Sequence, residues 1–179
     1  MKQSCLKRCF KQRISARASQ LSSKNEDQCL PIVKLYKEAF VLKHVSNVTV
    51  RFNETDALGH VNNTSYFIYL EEARIRFFEE LGYGMSTDGW EFILASTKCD
   101  FLNQSYFNQK LSVTTTVTRI GQKSFKLAHD ILDSNTNQLI ASGEAIIVFF
   151  DFNAQKSERL PDALRYKLEE YLQREVLES

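Results

Sequence analysis

Two prolines and six glycines in 179 residues exclude a collagen-like repeat and a Pro- or Gly-rich linker between modules. No uninterrupted apolar run approaches the roughly 18–20 residues of a membrane span. No segment repeats with a period of about 20–50 residues. The four cysteines (Cys5, Cys9, Cys29, Cys99) include no C-x-x-C pair, and the three histidines (His44, His60, His129) are scattered. Zinc-type ligand spacing is therefore missing, and neither a metal nor another cofactor is expected. Disulfide frameworks suit small secreted chains, so reduced thiols in a cytosolic-type compartment are the simpler expectation here.

Acidic residues are also missing from residues 1–25, which hold seven cations: Lys2, Lys7, Arg8, Lys11, Arg13, Arg17 and Lys24. The other 16 Lys and Arg stand against all 22 acids, so residues 26–179 carry a net charge of −6. Nucleic-acid binding needs phosphate neutralisation, and such a body is a poor match for it. The basic segment lacks the apolar stretch of a secretory signal. Its Ser-containing, acid-free composition fits a mitochondrial or plastid transit peptide, a disordered tail or a translated upstream extension, and composition does not choose among them. The expected organisation is a basic extension over 1–40 and one domain over 41–179, in the cytoplasm, or in the mitochondrial matrix or plastid if the extension is a transit peptide. The length suits a single domain with a real core.

Residues 31–43 (PIVKLYKEAFVLK) have no clean period and read as a linker or short helix. SNVTVRF alternates, with Val48, Val50 and Phe52 on one face of a strand. TSYFIYLEEARIRFFEELG places Tyr66, Leu70, Ala73, Phe77 and Leu81 at helical spacing, and Gly82 is positioned to end the helix. Its aromatic-rich stripe predicts a helix lying inside the fold, and Arg74 and Arg76 are read onto its wet face. Segments 91–102, 110–121, 123–134 and 138–151 are strand-like and joined by short polar connections, as in an antiparallel meander. AIIVFF is apolar on both faces, which predicts a central or doubly covered strand. PDALRYKLEEYLQREV repeats Leu164, Leu168 and Leu172 four apart, a terminal amphipathic helix over 161–176. One apolar helix followed by a meander predicts an α+β fold with the sheet wrapped around the helix.

The chemistry concentrates where the first strand meets that helix, in TDALGHVNN. A helix start presents free backbone N–H groups that bind anions or developing oxyanions, and Asn62, Asn63 and Thr64 are good capping types. Asp56 stands seven residues before Asn63, and a loop containing Gly59 can fold its carboxylate back toward the helix start. A carboxylate facing such an N-terminus supplies two parts of an acyl-transfer site: attack or activation of water, and stabilisation of the oxyanion. A thioester suits such a site, because its thiolate leaves without a strong general acid. The plainer alternatives are that Asp56 caps the turn, as Asp does in many loops, and that His60 is a structural histidine.

ETDALGHVNNTSYFIYLEEAR resembles the signature of the hotdog-fold acyl-CoA thioesterases of the 4-hydroxybenzoyl-CoA thioesterase-like group. GQKSF and ASGEAIIVFFD fit the same family, and the resemblance spans about residues 45–175. It implies a hotdog fold, an antiparallel sheet around a long central helix. It also implies Asp56 as the catalytic carboxylate, the Asn63 N–H as oxyanion donor, Tyr66 in the acyl pocket, and Glu71 and Arg74 as the helix acid and arginine. His60 and Asn62 would hold the loop. HVNN is also similar to plant acyl-ACP thioesterases, where an Asp, an Asn two residues on and a His two further act together. Leu58 occupies the Asn position here, which weakens a direct role for His60. A hotdog hydratase would carry an Asn-Pro pair before the His, which DALGH lacks. The expected substrate is an acyl-CoA, with an acyl-ACP or non-catalytic acyl-CoA binding as rivals. The expected assembly is a homodimer or homotetramer with its sites at the interface. Arg119, Lys123 and Lys126 are candidates for the CoA phosphates, or are simply an exposed strand end.

Overall fold

The computed structural model describes residues 42–84 and 89–173. The proposed linker or helix over 31–43, apart from its last two residues, and the basic extension lie outside them. Strand β1 (His44–Thr49) leads through a 3₁₀ turn (Phe52–Glu54) to the long helix α1 (Asn63–Glu80). Four long strands follow: β2 (Phe92–Phe101), β3 (Lys110–Ile120), β4 (Ser124–Asp133) and β5 (Leu139–Asp151). A two-residue strand β6 (Lys156–Ser157) and helix α2 (Asp162–Glu170) complete the order. All strand pairs are antiparallel, in the spatial order β1-β3-β4-β5-β2, with β6 on β5. The strand built around AIIVFF is thus interior, with β4 on one side and β2 on the other.

Helix α1 crosses one face of this sheet, which is the expected hotdog arrangement. All five positions of the predicted stripe, Tyr66, Leu70, Ala73, Phe77 and Leu81, are buried. The sheet supplies Leu111, Val113, Thr115 and Val117 from one face of β3, all fully buried. Over β5 the packing is tight: a Cβ added to Gly143 would stand 2.7 Å from Leu70 Cδ1. A larger residue there would require the buried Leu70 side chain to shift.

Three expectations need correction. The first strand stops at Thr49, and Phe52 is 77% exposed. The alternation breaks because the Arg51 N–H turns to the Glu54 carboxylate (2.7 Å), while Thr55 N–H and Oγ1 both donate to the Phe52 carbonyl and close a turn. The terminal helix ends at Glu170 rather than continuing to 176. Strand β1 pairs with β3 only as far as Thr115, which leaves the Val117 backbone open on that side. Val117 N–H then donates to Tyr171 O (2.9 Å), Gln173 N–H donates to Val117 O (2.7 Å), and the chain is drawn into a parallel bridge.

The third correction is Arg74, which is buried at 6% exposure, while Arg76 is exposed and pairs with Glu79 at 3.3 Å. Buried residues on α1 come as adjacent pairs once per turn: Ser65 and Tyr66, Tyr69 and Leu70, Ala73 and Arg74, Phe77 and Phe78. Arg74 therefore lies in the covered stripe. It belongs to a polar seam between two apolar clusters, one around Phe77, Phe125 and Leu127, the other around Tyr69, Leu70 and Val113. Across the strands, His44, Thr115, His129 and Gly143 stand in register in one row. Thr115 Oγ1 and His129 Nδ1 share a hydrogen bond of 2.9 Å, whereas Arg74 Nη1 and His129 Nε2 find no partner among the described residues.

Burial, then the nearby charges of Arg74 and His44, push the His129 pKa down to about 3. A histidine held neutral in the fold but free to protonate when unfolded adds stability that is complete above about pH 6.5. That stability is lost as pH falls toward 3, by at most about 1.4 kcal/mol per pH unit. The carboxylates with depressed pKa values, Asp133 and Asp151, lose theirs only below about pH 4. Urea unfolding between pH 7 and 4.5 is therefore expected to show a falling stability that His129→Leu flattens. Parallel curves for the two proteins would dismiss the assignment.

Candidate active site

The loop between β1 and α1 is a miniature hairpin. Thr55 and Val61 form a bridge, Asp56 N–H donates to His60 O at 2.8 Å, and Gly59 N–H donates back to Asp56 O at 3.1 Å. Gly59 has φ +81°, a left-handed conformation that glycine adopts without strain. Its tip exposes Leu58 at 78%. Asp56 does serve the turn: Oδ1 accepts from Leu58 N–H at 2.8 Å and His60 N–H at 3.3 Å. The second oxygen, Oδ2, has no hydrogen bond among the described residues, so the turn occupies only half of the carboxylate.

Asn62 is the N-cap, with Oδ1 accepting from Thr64 N–H (3.0 Å) and Thr64 Oγ1 (2.9 Å), and its carbonyl accepting from Ser65 N–H at 2.9 Å. Capping thus occupies the Thr64 and Ser65 amides. The Asn63 N–H, one position earlier, has no acceptor among the described residues, and it carries the positive end of an 18-residue helix.

Asp56 and Asn63 open onto one cavity of about 370 Å³. His60, Val61, Asn62 and Tyr66 line it from the loop and helix; Phe101, Asn103 and Gln104 line it from the end of β2. The loop and helix side was legible in the spacing. The β2 side was not, since FLNQSYFN carries no periodic or catalytic signal. That segment nevertheless braces the loop. Val61 N–H donates to Ser105 O (2.9 Å), the fully buried Ser105 Oγ meets Tyr66 Oη at 2.8 Å, and the His60 ring rests edge-on against Tyr106. Burial is the main cause raising the Tyr66 pKa, so its hydroxyl stays a neutral hydrogen-bonding group.

Glu71 is exposed on α1 and is not among the cavity residues. Arg119, Lys123 and Lys126 lie at the β3–β4 hairpin, the opposite end of β3 from the loop. Lys123 Nζ donates to Ser157 O at 2.7 Å, and Lys126 pairs with Glu144 at 2.7 Å. One chain does not bring these cations to Asp56. Among the described residues no three His, Cys, Asp or Glu side chains come together as metal ligands, and no helix is long and apolar enough to cross a membrane.

Comparison with known proteins agrees with this geometry. The thioesterase-like superfamily matches residues 50–168, and the chain belongs to that superfamily of hotdog-fold thioester hydrolases. It is 30% identical to a predicted thioesterase from Bacillus stearothermophilus, covering 73% of this chain and 97% of that one, with a TM-score of 0.69. It is 27% identical to the long-chain acyl-CoA thioesterase FadM of Escherichia coli over 70% of this chain and 96% of FadM. The structure of BH1999, a gentisyl-coenzyme A thioesterase, is 27% identical, with 69% and 98% covered and a TM-score of 0.61. Against the uncharacterized protein YsmA of Bacillus subtilis, identity is 37% but the match spans only 56% of that protein.

Proposed function

We propose that the protein hydrolyses an acyl-CoA to the free acid and CoA in a cytoplasmic-type compartment. The observation that carries this reading is the single cavity shared by the Asp56 carboxylate and the unbonded Asn63 amide. In the general-base route, Asp56 takes a proton from water as the water oxygen attacks the thioester carbonyl. The carbonyl oxygen gains the negative charge, and the Asn63 N–H at the α1 start stabilises it. The C–S bond then breaks, the electron pair leaves with the CoA sulfur, and the proton held by Asp56 returns to the departing thiolate. In the nucleophilic route, Asp56 attacks the carbonyl itself, the C–S bond breaks and CoA leaves as the thiolate, and water then cleaves the mixed anhydride to release the acid and restore the Asp56 carboxylate. His60 and Asn62 hold the loop and helix start, and Tyr66 walls the acyl side. FadM and the gentisyl-CoA enzyme, with their named CoA substrates, support CoA as the carrier.

A homodimer fits the same reading. Strand β2 is an edge of the sheet, and from Leu94 to Phe101 it is exposed apart from partly covered Cys99. Such an edge is a template for a second copy. Arg119 and Lys123, remote from Asp56 of their own chain, would then meet the CoA phosphates from the neighbouring subunit. The test is a panel of short, long and aromatic acyl-CoAs, with acyl-ACP counterparts, followed by free-thiol release. Turnover of at least one acyl-CoA is expected. Thermal stabilisation by acyl-CoA without thiol release would establish a binding module instead, and turnover confined to acyl-ACP would reassign the carrier.

A further inference from the structure

A buried carboxylate outside the cavity ties the Asp56 loop to α1. Glu54, two residues before Asp56, is buried at 7% exposure. One oxygen, Oε2, accepts from Arg51 N–H at 2.7 Å and from the Tyr69 hydroxyl at 2.8 Å. The backbone of the same residue reaches the helix start: its carbonyl accepts from Asn62 N–H at 2.8 Å and from the buried Ser65 Oγ at 2.9 Å. Glu54 therefore ties the chain leading into Asp56 to α1 at two levels, the cap and first turn through its backbone and the second turn through its side chain. Tyr69 is 1% exposed and has no freedom to follow a shifted loop. Burial first, then the Glu54 carboxylate, raise the Tyr69 pKa and keep its hydroxyl a donor. Tyr69 also stands edge-on to Tyr66, whose hydroxyl holds Ser105.

We propose that Glu54 is a positioning residue for the hydrolysis, setting the Asp56 carboxylate against the Asn63 amide through its bond to Tyr69. The inference rests on the functional reading above. Its chemistry is geometric: Asp56 is carried by a small hairpin that the segment after β2 braces at His60 and Val61, and on the helix side the anchored residues before and after that hairpin fix its place. Displacement of a reacting group by about 1 Å costs on the order of 100-fold in rate. Glu54 touches neither the cavity nor a substrate, so its loss should appear in kcat and leave CoA binding alone.

The experiment compares Glu54→Ala, Glu54→Gln and Tyr69→Phe, each alone and Glu54→Ala also in the Asp56→Asn background, using the best acyl-CoA of the panel. Glu54→Ala is expected to lower kcat by about 10–100-fold with KM and the Kd for CoA changed less than about threefold. A glutamine carbonyl accepts both hydrogen bonds that Oε2 accepts, so Glu54→Gln is expected to recover most of the loss. Tyr69→Phe removes one bond without opening a cavity and should fall between them, which keeps the test sound if Glu54→Ala unfolds. In the Asp56→Asn background, Glu54→Ala is expected to add nothing. Wild-type kcat in Glu54→Ala, or the same loss with Asp56 already removed, would overturn the proposal while leaving the hydrolase reading intact. Full activity in Asp56→Asn alone would instead remove Asp56 from the chemistry, and no thiol release by the wild-type protein across the panel would defeat the hydrolase reading.

Discussion

Asp56→Asn is expected to lower kcat/KM for acyl-CoA hydrolysis by about three decades or more, a loss on the order of 4 kcal/mol in transition-state stabilisation. The substitution is informative because the turn engages only one of the two carboxylate oxygens among the described residues. Oδ1 closes the turn by accepting from the Leu58 and His60 amides. An asparagine keeps an oxygen for that duty and presents its amide nitrogen where Oδ2 stood. The loop, the cap at Asn62 and the cavity volume should survive, so thermal stability is expected to move little. What disappears is the only group that general-base and nucleophilic routes share. Both need a carboxylate, and an amide neither takes a proton from water nor forms an anhydride. The assay is thiol release at saturating and limiting substrate. A variant with kcat/KM within about tenfold of wild type would remove Asp56 from the chemistry and return it to turn-forming alone. The residual rate carries information as well, since the Asn63 amide and substrate binding are left in place.

The spacing of seven between Asp56 and Asn63 allowed both to face one space, with turn-capping by Asp56 as the plainer alternative, and the two do line one cavity. Local chemistry of this kind is written in consecutive residues. The opposite wall of the cavity was not legible. Phe101, Asn103 and Gln104 arrive from the end of β2, and nothing in their own neighbourhood signals a binding surface. They matter because Ser105 and Tyr106 dock on the loop, a long-range pairing that no local period encodes. Glu54 is an intermediate case. It lies in the quoted motif, yet its importance depends on Tyr69, fifteen residues away and on the inward side of α1. The placement of the cations Arg119 and Lys123 was not legible either. Their charge suited CoA phosphates, but charge carries no address, and within one chain they stand at the wrong end of β3.

Arg74 shows a limit of periodicity itself. One apolar residue per turn was enough to find the buried line Tyr66, Leu70, Ala73, Phe77 and Leu81. It was not enough to give the width of the covered stripe, which takes in two residues per turn. A helix lying against strands from both edges of the sheet is covered over a wider arc than a surface helix with a narrow stripe. That same width created the polar seam, where Arg74, Thr115 and His129 share the interior with two apolar clusters. Neither histidine pattern nor arginine spacing announces such a seam, because its members come from three separate elements.

Phe77→Ala is expected to be the most damaging single change to the fold and to leave the chemistry nearly untouched. Phe77 is fully buried at the C-terminal half of α1. Its ring meets Tyr171 edge-on at 5.0 Å and His44 at 5.8 Å, joining the helix to the segment after α2 and to β1. Truncation removes the transfer energy of a whole ring and leaves a void where three elements meet, about 3–5 kcal/mol. That is a large part of a typical total of about 5–15 kcal/mol. For a domain of this size each kcal/mol moves Tm by about 2–4 °C, so a fall of about 10 °C is expected by calorimetry. Asn63 lies at the other end of α1, roughly 20 Å away at about 1.5 Å per residue. At a temperature where the variant remains folded, its kcat should therefore stay within about twofold of wild type. A Tm lowered by less than about 3 °C would mean that the contacts of Phe77 are replaced by others, and that the junction of α1, β1 and the chain after α2 is not where the fold is held. Set beside Asp56→Asn, which is expected to be stable and inactive, this variant is expected to be unstable and active. That contrast would separate stability, held around Phe77, from chemistry at the α1 N-terminus.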